Sequence, residues 1–326
     1  MKLILNTPGL FLCKRGECFQ VKDNENKNDI SSKKVEQIII TTHVMITTDA
    51  IELAIDNNID IVFLKENGYP MGRVWHSKHG SISTIRRKQL FLEENSLGIN
   101  LVKEWISEKM QNQINLLNKL AVNRRDERKD FIYDTVNKIK GVKSKLDCID
   151  NTSINQVRNT IQGFEGSASR FYFETINEIF PEKYKFKGRS RNPALDYFNC
   201  FLNYSYGILY SSVEKSCILA GLDPYIGIMH TDNYNKKALI FDVVEKYRGY
   251  MDNIVCRLFT KKRILDNFFD KVENGYYLNK NGKKLLIDEY NKELENKIKR
   301  DGRNIEFRNI IQYDCHKIAN RILEED

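Results

Sequence analysis

The stretch TIRRKQLFLEENSLGINLVKEWISEKMQNQINLLNKLA, residues 84–121, marks the point at which the pattern of the chain changes. Its apolar residues recur at helical spacing, with almost no β-branched runs, which predicts amphipathic helix with one interruption near Gly98. The segments before it are shorter and rich in β-branched residues, which is typical of strands. The change near Ser83 therefore predicts a β-rich first part and a helical second part.

The first part contains the apolar segments KLILN, LFLCKR and ECFQVK, and Arg15-Gly16 makes a natural turn between the second and the third. The segments VEQIIITTHVMIT and IDIVFL, residues 35–47 and 59–64, continue the β-branched enrichment. Residues 48–55 between them predict a short helix. We expect a small β-domain over residues 1–80.

Helical patterning persists from residue 81 to the end, and the prolines 181, 193 and 224 punctuate it. One exception is GYYLNKNGKKLLI, residues 275–287, where Asn281-Gly282 predicts a tight hairpin. The predicted fold class is α+β: a small N-terminal β-strand domain over residues 1–80, followed by a larger all-helical domain over residues 81–326. A chain of this length is consistent with two domains.

The charge is distributed unevenly along the chain. The net charge is +8, and because residues 1–80 carry ten Lys or Arg and ten Asp or Glu, all of it falls after residue 80. A basic second part suggests a polyanionic partner. Seven cysteines without a C-x-x-C pair, an apolar start interrupted by Asn6, Thr7 and Pro8, and no run long enough for a membrane span predict a cytoplasmic protein.

Two acids lie three residues apart in GIMHTDNYNKKALIFDVVEKYR, residues 227–248, shortly after His230. On a helix from about Ala238, Asp242 and Glu245 share a face with Lys246 and Asp252, opposite an apolar arc. One interpretation is a divalent metal site that includes His230. The other, which is commoner for such a pattern, is a surface helix with a solvated face and a structural histidine.

A third acid, Glu165, lies among small residues in QGFEGSASRFYFETI, residues 162–176. Glycine, alanine and serine let two backbones approach closely, so Glu165 need not be at the surface. A buried carboxylate needs a counter-charge, and a cation is one way to supply it. The alternative is a tight helix crossing with Glu165 at its edge.

Basic and aromatic residues alternate in KYKFKGRSRNPALDYFN, residues 183–199. This pattern predicts contacts with a phosphate backbone and some base stacking on Tyr184 and Phe186, although a solvated basic loop is the commoner outcome. The cations are Lys183, Lys185, Lys187, Arg189 and Arg191. Asp196 and Asn199 follow on a helix that reads as mostly buried, where polar groups need partners.

The remaining histidines give weaker signals. His316 lies on a terminal amphipathic pattern, and His76 and His79, in WHSKHG, could pair on a metal but would make a poor site with two ligands.

The segments GFEGSASR, GRSRNPALDYFN, GIMH and DVVEKYR, in this order and spacing, resemble the CRISPR-associated integrase that inserts new spacers. The likeness extends to VEQIIITTHVMITTDAIELAIDNNIDIVFLKENGYPMGR, which resembles the N-terminal β-domain of that family. It also extends to GYYLNKNGKKLLIDEYNKELENKI, which resembles the family's C-terminal helical region. NPALD departs from the frequent Pro-Pro-x-x-Asp, and the loop before Asp242 is moderately long.

The resemblance implies metal ligands at Glu165, His230 and Glu245, with Asp242 as a further or water-mediated ligand. Two carboxylates and an imidazole suit Mg²⁺ or Mn²⁺ better than structural zinc. It implies a homodimer formed by the β-domain, a catalytic helical domain, a small ferredoxin-fold partner protein and double-stranded DNA as substrate. As a hypothesis, Arg170 and Arg248 hold phosphate near the metal, while Lys246 and the Lys183–Arg191 run bind backbone farther out.

The implied reaction is transesterification, in which the 3′-hydroxyl of an incoming DNA fragment attacks a phosphodiester at the edge of a CRISPR repeat. Two alternatives remain open. A transposon-borne integrase of the same fold would use the same ligands on different DNA ends, and we expect such a protein to carry a further C-terminal DNA-binding segment. A non-catalytic nucleic-acid-binding scaffold would not need the acid and histidine set.

Overall fold

The computed structural model describes most of the chain, and the described residues are 1–23, 25–65, 68, 70–75, 83–122, 124–150, 153–191, 193–230, 236–300 and 302–325. The predicted domain border at residue 80 and the histidines at 76 and 79 lie outside these residues. No helix in the described ranges combines the length and the hydrophobicity that crossing a membrane requires.

In the described residues of the first part, two four-stranded sheets are accompanied by one α-helix and a short 3₁₀ turn, Ser32–Lys34. The sheet orders are β1-β5-β7-β8 and β4-β3-β2-β6. The strands are β1 (Lys2–Leu5), β2 (Phe11–Arg15), β3 (Cys18–Lys22), β4 (Lys27–Ser31), β5 (Gln37–Ile40), β6 (Met45–Ile46), β7 (Asp60–Leu64) and β8 (Pro70–Val74). The predicted short helix is α1 (Thr48–Asp56), which the Thr47 side chain caps by accepting from the Ala50 N–H.

Strand β5 lies between two hydrophobic layers. It pairs in parallel with β1 and β7, so that Ile38 lies opposite Leu3 and Ile61. Because side chains alternate along a strand, Ile38 packs in a cluster confined to the first part, while Ile39 packs with the helices. A strand buried on both faces explains the continuous apolar run in this part of the sequence.

The second part is helical, with two short hairpins as its exceptions. Its helices are α2 (Ser83–Gln89), α3 (Ser96–Val122), α4 (Glu127–Asp147), α5 (Ile154–Ile179), α6 (Tyr197–Leu219), α7 (Ala238–Val244), α8 (Arg248–Thr260), α9 (Lys280–Leu294) and α10 (Phe307–Glu324). The hairpins pair β9 (Phe269–Val272) with β10 (Gly275–Leu278) and β11 (Lys297–Arg300) with β12 (Arg303–Glu306). A single 3₁₀ turn, Glu245–Tyr247, joins α7 to α8.

Helix α6 is the centre of the helical part, because most of its residues are buried all round its axis. It also meets the first part directly. A side-chain carbon built on Gly207 would lie 1.8 Å from the carbonyl oxygen of Gly68. Only glycine at position 207 permits this approach, and the contact fixes where the segment before β8 lies on the helices.

The predicted hairpin at Asn281-Gly282 is wrong. The side chain of Asn279 accepts hydrogen bonds from the Asn281 and Gly282 N–H groups and so caps the first turn of α9. The Gly282 position lets the helix pack closely, since an added carbon there would lie 2.7 Å from the Phe268 carbonyl oxygen. The turn of the hairpin falls earlier, between β9 and β10.

The alternative interpretation of the segment around Glu165, a tight helix crossing, is also wrong. Side-chain carbons built on Gly163 and Gly166 of α5 would meet no atom within 4 Å. These glycines therefore leave space beside Glu165 rather than bring a second backbone close. Of the two glycines, Gly166 lines the cavity of the candidate site together with Glu165.

Candidate functional site

Two of the predicted acids converge on one buried lysine. Glu165 extends from the middle of α5, and Glu245 opens the 3₁₀ turn between α7 and α8. The ammonium of Lys109, on α3, donates to Glu245 Oε2 at 2.6 Å and also contacts Glu165 Oε1. The hydroxyl of Ser169, one helical turn beyond Glu165, donates to the same Oε1 atom at 2.8 Å.

A second cation holds the other oxygen of Glu245. The Arg248 guanidinium lies 2.9 Å from Glu245 Oε1. Burial raises the pKa of Glu245, but the charges of Arg248 and Lys109 outweigh burial, and the net shift of this pKa is downward. Glu245 is therefore an ionised carboxylate enclosed by protein.

His230 is oriented by Asp242. The carboxylate of Asp242 accepts from three successive backbone N–H groups, those of residues 228, 229 and 230, at 2.7–3.1 Å. Its Oδ1 atom also lies 2.6 Å from His230 Nδ1. Because the carboxylate accepts, the proton of a neutral imidazole is on Nδ1, and Nε2 is left with the lone pair a metal ion would use.

The helix that carries these acids does not have a solvated face. Asp242, Glu245 and Asp252 are at most 5% exposed, so the interpretation of residues 238–258 as a surface helix is wrong. Helices α3 and α6 pack against α7 and α8 and cover the polar side of this segment as well as its apolar side. Each acid instead has a polar partner inside the protein.

The carboxylates of Glu165 and Glu245 are suitable ligands for a divalent cation, but the ammonium of Lys109 lies between them. Within the described ranges, no three His, Cys, Asp or Glu side chains lie close enough to share one ion. The structure brings Glu165 and Glu245 together on the Lys109 ammonium and does not place His230 in the same cluster. Two carboxylates that converge on one positive charge are nevertheless the ligands that Mg²⁺ and Mn²⁺ prefer.

A cavity of about 570 Å³ opens beside Glu165. Gly166 and Ser169 form part of its wall, where their small size leaves the carboxylate accessible. Among the residues that the structure describes, six cations line it: Lys109, Arg170, Lys187, Arg189, Arg191 and Arg248. A concave, basic surface next to two carboxylates can accept a phosphodiester and bring it to a bound cation.

The wall of this cavity also contains a buried acid, Asp252 on α8. Its carboxylate accepts from the hydroxyl of Tyr206 at 2.6 Å and from that of Tyr172 at 3.1 Å. Burial raises the pKa of Asp252, and the two hydroxyl donors offset only part of this shift. The ring of Tyr206 in turn contacts the guanidinium groups of Arg189 and Arg248.

The loop before α6 is held by the polar residues that the sequence places on this helix. Asp196 caps α6 by accepting from the Asn199 N–H at 2.7 Å. The side chain of Asn199 donates to the Gly188 carbonyl at 2.8 Å and contacts Arg189. Asn203 accepts from the other Arg189 nitrogen at 3.0 Å. These bonds direct Arg189 toward the cavity.

The predicted nucleic-acid contacts divide into two groups. Arg170, Lys187, Arg189, Arg191 and Arg248 line the cavity. The other three are paired with acids elsewhere: Lys183 with Asp266, Lys185 with Glu182 and Lys246 with Asp314. The charges of these three are therefore already neutralised within the protein.

The prediction that Tyr184 and Phe186 stack on bases is wrong. Both are buried, at 7% and 6% exposure. Phe186 packs on Phe198, and Tyr184 packs on Phe259 while its hydroxyl donates to the Ile264 carbonyl. Cations and aromatic rings alternate here because the segment runs along the surface of the protein. Its rings pack into the core and its charged groups face outward.

No pattern in the sequence predicted a role for Lys109 or Ser169, or the partners of Asp252. One feature of the sequence could have indicated Lys109. It lies on the apolar face of α3 between Ile106 and Met110, where a lysine needs a buried partner of opposite charge. The pairing of Asp252 with two tyrosines joins α5, α6 and α8, which no local pattern indicates.

Comparison with known proteins shows the family. A sequence model described as CRISPR associated protein Cas1 matches residues 3–292. The chain is 32% identical over 322 residues to CRISPR-associated endonuclease Cas1 1 of Archaeoglobus fulgidus, a match that covers 95% of this chain and 93% of the relative. The chain belongs to the Cas1 family. The resemblance drawn from its four segments is therefore confirmed.

Solved structures have the same fold as this Cas1 chain. A Cas1 protein from Thermotoga maritima aligns with a TM-score of 0.81 at 21% identity, covering 100% of this chain and 98% of that one. A casposase bound to integration product aligns with a TM-score of 0.82 at 21% identity, covering 100% and 91%. These likenesses confirm the predicted fold class, a β-strand region followed by a helical region, and at such identities they show the fold alone.

A chain of a Cas6-RT-Cas1–Cas2 complex also aligns, with a TM-score of 0.79 at 20% identity. That match covers 99% of this Cas1 chain and 35% of the larger one.

Proposed function

We propose that this Cas1 chain is a metal-dependent DNA integrase and endonuclease that inserts new spacers into a CRISPR array. One observation carries the proposal: Glu165 and Glu245, 80 residues apart in sequence, converge on a single positive charge beside a cavity lined by arginines. The curated relative from Archaeoglobus fulgidus, which is named an endonuclease, supports the same reaction class.

In this proposal Glu165, His230 and Glu245 hold Mg²⁺ or Mn²⁺. When bound, the cation would lower the pKa of an attacking hydroxyl and neutralise charge on the phosphate oxygens. Asp242 is a positioning residue rather than a ligand, because its two oxygens already accept from three backbone groups and the imidazole. It fixes the proton of a neutral imidazole on Nδ1, which leaves the lone pair of Nε2 for a metal ion.

The arginines of the cavity supply the phosphate contacts. Arg170 is exposed at the rim, and Arg248 lies between Glu245 and the Tyr206 ring. They orient the scissile phosphate so that the incoming 3′ oxygen bonds to phosphorus while the bond to the repeat strand breaks and its oxygen leaves as a hydroxyl. Water in place of the 3′-hydroxyl would give cleavage at the same site.

The proposed partners follow from the same family. The substrates are double-stranded DNA, both the spacer precursor and the CRISPR repeat. The chain would act in the cytoplasm as a homodimer through residues 1–80, with residues 81–326 as its catalytic domain. A small ferredoxin-fold adaptation protein would bridge two such dimers, and the likeness to a chain of a Cas1–Cas2 complex supports this assembly.

The test is strand transfer of a labelled DNA fragment into a supercoiled plasmid with Mn²⁺ or Mg²⁺. Wild type is compared with Glu165→Ala, His230→Ala and Glu245→Ala. His316→Ala is the matched control, since His316 is an exposed histidine of α10. We expect the three site variants to lose joining and the control to retain it.

The alternatives predict different products in the same assay. Full joining by His230→Ala would remove this histidine from the reaction. Joining that requires transposon ends rather than spacer-like fragments would identify a transposon-borne integrase. Binding with neither joining nor cutting, under both metals, would indicate a non-catalytic scaffold.

A further inference from the structure

The side chain of Lys109 is enclosed where the two acids meet. Lys109 is 6% exposed and lies on the buried face of α3, between Ile106 and Met110. Its ammonium donates to Glu245 and contacts Glu165, and together with Arg248 it balances the two carboxylate charges.

The same two carboxylates are the acidic ligands of the proposed metal site. A divalent cation bound between them would meet the ammonium as a like charge at close range in a partly desolvated site, where repulsion is strong. The metal and the ammonium are therefore competitors for Glu165 and Glu245.

We propose that Lys109 is a built-in counter-cation, which holds Glu165 and Glu245 in place before metal binds and is displaced when metal arrives. Lys109 is thus a positioning residue that sets metal affinity. The displaced side chain has room, because Lys109 also lines the basic cavity. There its charge adds to those of Arg170 and Arg189 on an incoming phosphate. This inference rests on the metal site of the proposed function.

The test is Mn²⁺ binding measured by calorimetry on the full chain. Lys109→Met keeps the length of the side chain and removes its charge, and Lys109→Arg restores a charge. Lys119→Met is the matched control, an exposed lysine on the same helix. We expect Lys109→Met to bind Mn²⁺ about tenfold more tightly or better, since coupled ligands typically change each other's affinity by this order. Lys109→Arg and Lys119→Met should bind as wild type does.

Thermal unfolding provides a second measurement. In chelator, Lys109→Met should unfold at a lower temperature than wild type, because it leaves two close carboxylates without their shared cation. Added Mn²⁺ should restore its stability and raise its unfolding temperature by more than that of wild type. If Lys109→Met does not fold in chelator, Lys109→Gln carries the test, since its amide still donates to the acids.

The outcomes separate the two proposals. Wild-type binding that Glu165→Ala and Glu245→Ala abolish, with unchanged or weaker binding by Lys109→Met and Lys109→Gln, overturns the inference and leaves the metal site intact. Binding by Lys109→Met where wild type binds nothing supports the inference in its strongest form. No Mn²⁺ binding by wild type or by any Lys109 variant overturns both proposals.

Discussion

At the scale of single residues, Asp242 makes four hydrogen-bond contacts through one carboxylate. Its carboxylate accepts from the backbone N–H groups of residues 228, 229 and 230 and also from the imidazole of His230. It is wholly buried, so each of these bonds forms out of water. The orientation of His230 thus depends on a residue that need not touch metal or DNA.

We predict that Asp242→Asn weakens Mn²⁺ binding by about 10–100-fold, because loss of an outer partner of a ligating histidine has this effect. The amide nitrogen cannot accept, so at least one buried donor loses its partner, and stability falls by about 1–3 kcal/mol. Calorimetry and thermal unfolding measure the two effects. Asp266→Asn, at an exposed pair with Lys183, should change neither. Wild-type Mn²⁺ affinity in Asp242→Asn would show that Asp242 does not position the histidine.

The sequence was sufficient to indicate Glu165 and Glu245 as candidate site residues, because each lies within a family-like segment. It was insufficient for Lys109, whose partners come from α5 and from the turn between α7 and α8. A lysine on an apolar helical face signals a buried partner but does not say which one. The same limit applies to Asp252, since its partners lie on two other helices.

At the scale of elements, the carboxylate of Glu289 gathers three cations where α9 packs against α8. Glu289 of α9, with a side chain 6% exposed, lies 3.2 Å from Arg257 and 2.8 Å from Arg263 and from Lys292. Burial raises the pKa of Glu289, but hydrogen bonds from Lys292 and Arg263 outweigh it and lower this pKa to about 2. The three cations are more exposed than the acid, so solvent reduces the energy of each pair.

We predict that Glu289→Gln lowers the free energy of unfolding by about 1–3 kcal/mol at neutral pH. The folded-state pKa lies below the unfolded value of 4.5, so this stability is present above pH 4.5 and is lost as pH falls toward about 2. Denaturant unfolding at several pH values should show the difference from wild type shrinking below pH 4.5. Asp288→Asn, an exposed neighbour on α9, should cause no such loss. A difference that does not change with pH would exclude ionisation of Glu289 as its cause.

Element boundaries were predictable where capping and periodicity agree, as for α1. Element boundaries were not predictable where the same dipeptide occurs in two kinds of structure. Asn281-Gly282 is a frequent hairpin turn, yet the cap supplied by Asn279 two residues earlier makes it the first turn of a helix. Which structure forms depends on packing against Phe268, a tertiary contact that the sequence pattern does not contain.

At the scale of the whole molecule, the sheets and the helices meet where α6 touches the segment before β8. We predict that Gly207→Ala destabilises the protein by about 1–3 kcal/mol, because the new methyl group would overlap the backbone oxygen of Gly68. Gly141→Ala is the control. Gly141 has open space around it on α4, so the substitution should stabilise by about 0.5–1 kcal/mol. Denaturant unfolding measures both, and equal effects would show that this contact does not constrain the junction.

The excess of positive charge in the second part includes cations that pair with acids and cations that do not. Lys187 is exposed, lines the cavity and, within the described part of the chain, makes no ion pair. Lys183 belongs to the same basic segment as Lys187, but it does not line the cavity, and its ammonium lies 2.8 Å from an Asp266 carboxylate oxygen. Only the first can exchange counterions for a DNA phosphate without first breaking an internal pair.

We predict that Lys187→Ala reduces the slope of log affinity for DNA against log salt by about 0.7–0.9, the value for one phosphate contact. The loss of affinity should be similar across DNA sequences, since a phosphate contact reads no base. Lys183→Ala should leave the slope nearly unchanged. Anisotropy titrations at several salt concentrations measure both slopes. Equal reductions in the two variants would mean that DNA affinity depends on the overall charge of the basic second part. DNA would then not reach Glu165 through the arginine-lined cavity.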